Sequence, residues 1–143
     1  MRNKLDGAWQ LRSFEIRRSN GDHIYPFGKD AIGNIIYANG RFSAQLMRAD
    51  RPAIAANDAL KATPEEMDAN YKGVISYFGK YSLNESETIV THHVVGSLFP
   101  NWERTDIIRF AQLNGDELCL KTPPTLWGDD EIIAALVWNK VNN

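Results

Sequence analysis

The residues best suited to chemistry lie in one run, Val90-Thr91-His92-His93-Val94-Val95-Gly96-Ser97-Leu98-Phe99-Pro100-Asn101-Trp102. It begins β-branched, breaks at Gly96 and ends in a Phe-Pro-Asn-Trp turn, the pattern of a strand that runs into an aromatic corner. Successive side chains of a strand point to opposite faces, so one histidine faces the interior and the other faces out. An inward imidazole, with an ordinary pKa close to neutrality, can move protons inside a closed pocket. His93 is taken as that inward acid/base. Arg109 can hold an anionic group, and Tyr37, Tyr77 or Tyr81 can donate hydrogen bonds. The same polar groups can equally satisfy one another within a core and do no chemistry.

Other chemistries find no support. His92 and His93 cannot both reach one ion from a regular strand, and neither His23 nor Cys119 stands at a spacing that resembles a zinc site, so no metal is expected. There is no Gly-x-Ser-x-Gly and no Cys/His motif, and Ser97 lies about 13 Å along the strand from His93. No Gly-rich loop precedes a helix, so no phosphate cradle and no cofactor is expected. The single cysteine, Cys119, precludes an intramolecular disulfide and reads as a small buried hydrophobe.

Composition narrows the class. With 143 residues, 43% of them hydrophobic and 24% charged, the chain suits one globular domain over residues 1–143 with a substantial core. A net charge of −2 argues against nucleic acid and against an anionic membrane surface as partners. No apolar run is long enough to span a bilayer and the first residues lack a secretory pattern, so a cytoplasmic protein is expected.

The elements that must position these residues are short strands. Ala8–Arg18 alternates as a first strand, Ser19-Asn20-Gly21-Asp22 turns, and His23–Phe27 returns briefly. Ile32–Ala38 and Arg41–Arg48 flank Asn39-Gly40, a strong hairpin signal, because a type I′ turn needs positive φ at both central residues. On the second arm Phe42, Ala44 and Leu46 share one face, and Ser43, Gln45 and Met47 share the other. A mixed polar pocket would be lined by Ser43, Gln45 and Met47, a dry core by Phe42, Ala44 and Leu46, and alternation alone does not choose. Thr63-Pro64-Glu65-Glu66 has the form of a capping box with proline in the first turn, which predicts one helix over about 64–72. Strands then recur at Ser76–Leu83, Thr88–Gly96, Arg104–Leu113, Glu117–Lys121 and Ile132–Val141, with a second tight turn at Asn114-Gly115-Asp116. Many short strands with local turns predict an antiparallel up-and-down β-barrel, closed so that no edge is left bare.

Four blocks carry a resemblance. Gly7-Ala8-Trp9 resembles the Gly-x-Trp signature of the lipocalin superfamily. Gly40–Arg48 with Arg51-Pro52, the pair Ala62–Glu66 and Tyr77–Tyr81, and Thr91 through Trp102 are similar to the bacterial and fungal lipocalin-like domain family. The resemblance covers nearly the whole chain and implies an all-β, calycin-type barrel around a cavity for a small, largely apolar molecule. It leaves the activity open, because that fold hosts both carriers and enzymes.

Three functions follow as expectations. The first is binding of a small hydrophobic or amphipathic metabolite, with Ser43, Gln45, Met47, Tyr77, His93, Trp102 and Arg109 as the lining and with Trp102 and Trp127 at the mouth. The second is a cofactor-independent isomerase or cyclase using His93 as acid/base, with Arg109 or Tyr77 stabilising developing negative charge. The third is an interaction module whose barrel is filled by its own side chains. Small barrels often pair through exposed strands, so a homodimer is compatible with each.

Overall fold

The structure, a computed structural model, describes residues 3–142. Its strands are β1 (Gly7–Arg17), β2 (His23–Ile24), β3 (Ile32–Ala38), β4 (Arg41–Met47), β5 (Val74–Leu83), β6 (Ile89–Ser97), β7 (Asp106–Asn114), β8 (Glu117–Lys121), β9 (Thr125–Trp127) and β10 (Asp130–Lys140), with one helix, α1 (Pro64–Lys72). Neighbouring strands pair antiparallel in the order β1-β3-β4-β5-β6-β7-β8-β10, and β10 pairs back onto β1. The result is a closed eight-stranded barrel. The two-residue β2 rides on the end of β1, and β9 rides on the start of β10. The short strand β9 falls in a segment whose sequence reads only as a loop.

Local chemistry accounts for the elements. Asn39 and Gly40 both take positive φ, 53° and 73°, so the β3–β4 turn has the handedness that matches strand twist. Thr63 accepts from the Glu66 amide, and the Glu66 carboxylate accepts from the Thr63 amide at 2.8 Å, completing the capping box at the start of α1. The helix α1 buries none of its residues, so it forms no part of the barrel core.

The side-chain alternation settles which face is inside. Phe42, Ala44 and Leu46 point inward, opposite Tyr37, Ile35 and Gly33 of β3. Ser43, Gln45 and Met47 therefore lie on the outer face, where Gln45 and Met47 border a groove with Gln10, Ile32 and Val141. That corrects their place in the lining. The apolar face wins because burying Phe42 and Leu46 alone is worth about 1.5–3 kcal/mol each, which Ser43 and Gln45 cannot match. The same parity corrects Cys119. Leu118 and Leu120 take the core positions of β8, and the thiol is left half-buried on the outer face.

The two ends of the barrel differ. Tight turns at 39–40, 84–88 and 115–116 gather at one end, and the long connections 18–31, 48–73, 98–105 and 122–129 gather at the other. The tight end is plugged. Trp9 is buried there, its indole N–H donating to Leu5 O at 2.9 Å. Lys140 Nζ stands 4.7 Å over the Trp9 ring and donates to Asp6 O at 2.6 Å. Gly7, at φ +131°, lets that lysine pass, since a Cβ there would meet Nζ at 2.6 Å.

Candidate functional site

From the end with the long connections inward, aromatic rings form a continuous column. Phe99 meets Trp102, on a single 3₁₀ turn (Pro100–Trp102), and Trp102 packs edge-on against Tyr77 with centroids 5.0 Å apart. Tyr77 Oη lies 3.2 Å from His92 Nδ1, and Tyr37 Oη lies 2.7 Å from His92 Nε2. Phe42 stacks on the imidazole at 4.0 Å. Tyr37 then meets Tyr81 edge-on, and the Tyr81 hydroxyl donates to Asp6 Oδ1 at 2.6 Å within the plug. The column thus joins the open end to the closed one.

His92, not His93, is the inward histidine. It is fully buried, and burial holds its pKa well below the usual histidine value, with Arg109 and His93 adding to the effect. The ring is neutral at physiological pH. One of its nitrogens donates to a phenol and the other accepts from one, so both are satisfied. Tyr37 is pushed well above the ordinary phenol range, first by burial, and stays protonated.

His93 faces out. Its Nδ1 lies 2.8 Å from Asp106 Oδ1 and its Nε2 lies 2.9 Å from Ser82 Oγ. This order of contacts resembles a hydrolase triad, but it sits on an open sheet face whose strands β5, β6 and β7 are paired with one another. Amides committed to such ladders are not free to hold an oxyanion. The parity correction has a signal in the sequence. Val90 and Val94 flank His92 two residues away on either side, whereas His93 shares its face with Thr91 and Val95. The two-valine face carries more apolar area, and the barrel buries it.

The opposite wall of the barrel is built differently. Arg109 of β7 points inward beside Val90 and is only 8% exposed. Its Nη1 donates to the carbonyl of Ile108 at 3.0 Å, and its guanidinium carbon stands 5.9 Å from the Trp102 ring. Among the described residues no carboxylate pairs with it. Ile107 and Ala111 of β7 and Leu136 of β10 also face inward, Leu136 opposite Leu120 and Phe14, yet they remain only partly buried. Ala111 also borders an outer groove with Phe110 and Cys119, whereas Ile107 and Leu136 keep accessible surface at inward positions.

That wall leads to the open end. A cavity of about 750 Å³ lies there, lined by Phe27, Ile75, Leu98, Phe99, Trp102, Leu126 and Trp127, with Arg48, Tyr71 and Lys72 at its edge. Phe14, Phe27 and Trp127 pack edge-on or tilted at its rim, 5.1 to 6.3 Å apart. Of the residues singled out in the sequence, the inward Tyr77 and Arg109 therefore meet at Trp102, which stands between the barrel and its mouth. Trp127 joins them at the mouth, and Ser43, Gln45, Met47 and His93 stay outside. Phe27, Leu98 and Leu126 were not picked out as lining: Phe27 closes a short returning segment, Leu98 lies in the turn after Gly96, and Leu126 falls in a segment that reads as a loop, so none sits in an alternation from which a face can be read. Among the described residues no group of three or more His, Cys, Asp or Glu could hold a metal ion. No described helix is long and apolar enough to cross a membrane.

An antiparallel eight-stranded barrel, plugged at one end and open at the other onto an apolar mouth, is the architecture of a lipocalin-type protein. A family model described as a lipocalin-like domain matches residues 6–141, and the chain belongs to that family. None of the curated proteins matches the chain. Among solved structures it is similar to one titled "REP1-NXSQ fatty acid transporter", at 12% identity over 97% of each chain with a TM-score of 0.43. At that score the likeness carries no argument about a ligand.

Proposed function

We propose that this chain binds a small hydrophobic or amphipathic molecule, with the apolar body in the mouth and the leading end toward Arg109 and Tyr77. The observation that carries the reading is the mouth cavity of about 750 Å³, walled by aromatic and aliphatic side chains. A cavity of that size and lining suits a drug-sized ligand, whose apolar surface supplies affinity while a few polar groups fix orientation. The inward Ile107 and Leu136, only partly buried, favour a barrel with room inside over one filled by its own side chains. Membership of the lipocalin-like family supports the same reading. The isomerase or cyclase reading with His93 as acid/base loses its geometric basis, because that imidazole lies on the outer face.

The test is native mass spectrometry of freshly purified protein, followed by solvent extraction. A discrete adduct that extracts as an apolar or amphipathic small molecule is the expected result. A clean apo mass, together with no saturable binding of apolar fluorescent probes, would count against the proposal.

A further inference from the structure

Arg109 stands out among the buried side chains of the barrel wall. A guanidinium is charged at every accessible pH, and removing it from water is costly unless an anion compensates. Among the described residues its one hydrogen-bond partner is the Ile108 carbonyl on its own strand. Its other guanidinium nitrogens have no partner among the described residues and are not sealed within the protein. Among the described residues no carboxylate balances it. Asp6, the buried acid of the barrel, is at the plugged end and is already engaged by Tyr81 and by the Asn3 backbone amide. The polar groups of the facing column are His92, Tyr37 and Tyr77, whose hydrogen-bonding atoms are turned toward one another rather than toward Arg109. Trp102 stands over one side of the guanidinium and also forms part of the mouth wall, so Arg109 lies directly behind a residue that lines the mouth.

We propose that the molecule bound in the barrel is a monocarboxylate amphiphile, and that its carboxylate pairs with Arg109 while its apolar body occupies the mouth. This rests on the ligand-binding reading above and names the class of ligand. The planar guanidinium fork matches a carboxylate in two parallel N–H···O contacts, which makes the arginine a head-group selector as well as a source of affinity. Without such an anion the described residues offer the charge a backbone carbonyl and the face of Trp102.

Two matched series test it by isothermal titration: decanoate, decanol and decylamine, and 1-naphthylacetate with 1-naphthaleneethanol. The wild-type chain is expected to bind each acid about tenfold or more tightly than its alcohol, with the amine weakest. In Arg109→Leu the acid's advantage should vanish while the alcohols still bind. Arg109→Lys should restore part of it, and near-UV circular dichroism of both variants reports whether the barrel is intact. Equal affinity of acid and alcohol in the wild type, or an acid preference that survives in a folded Arg109→Leu, overturns the head-group assignment and leaves cavity binding standing. If neither series binds at all, both readings fall.

Discussion

At the scale of single residues, His92 makes stability depend on pH. Its folded-state pKa is depressed by burial, so below about pH 6.5 the unfolded chain takes up a proton that the folded chain refuses. The stabilising contribution is complete above that pH and is lost as pH falls toward the folded value, at about 1.4 kcal/mol per pH unit. Urea midpoints measured between pH 7.5 and 5 should fall accordingly. His92→Gln keeps hydrogen-bonding capacity and cannot titrate, so its profile should be flatter over this range. A wild-type slope that persists in that variant would assign the dependence elsewhere. The residue types of the interior were legible from the sequence, since Tyr37, Tyr77 and Arg109 all stood out as polar groups in apolar strands. Which of two adjacent histidines turns inward hung on one residue of register, and that is decided by the summed burial of a whole face rather than by the histidines themselves.

At the scale of elements, two substitutions should separate what holds the barrel from what decorates it. The β5–β6 pairing slips between Phe78 and Gly79, and a Cβ at Gly79 would lie 2.0 Å from the His93 carbonyl oxygen. Gly79→Ala must therefore push two paired strands apart and should cost about 3 kcal/mol or more, read as a lowered thermal midpoint. Thr63→Ala removes half of the capping box of α1 and should cost the helix about 1 kcal/mol. Because α1 contributes nothing buried to the core, that loss should appear as faster amide exchange within 64–72, with the global midpoint little changed. The helix and the Asn39-Gly40 hairpin were readable because capping and turn chemistry are local. Strand β9 was not, since three residues form a strand only by pairing with Asp130–Ile132, a partner that exists after folding.

For the molecule as a whole, the four tryptophans divide between its two ends. Trp9 and Trp138 are buried in the core, while Trp102 and Trp127 stand at the mouth. Acrylamide should quench the second pair preferentially, and a saturating apolar ligand should protect those two alone. Protection of Trp9 or Trp138 instead would place the ligand elsewhere. The closed barrel was evident from the rhythm of strands and turns, but the asymmetry of its ends follows from how loop lengths alternate around the circle. That asymmetry makes the protein a vessel with a single doorway. For a ligand bound as proposed, entry and exit share that route, so the end that goes in first comes out last. Its trailing end would face the bulk, and any acceptor would have to grasp it by its tail.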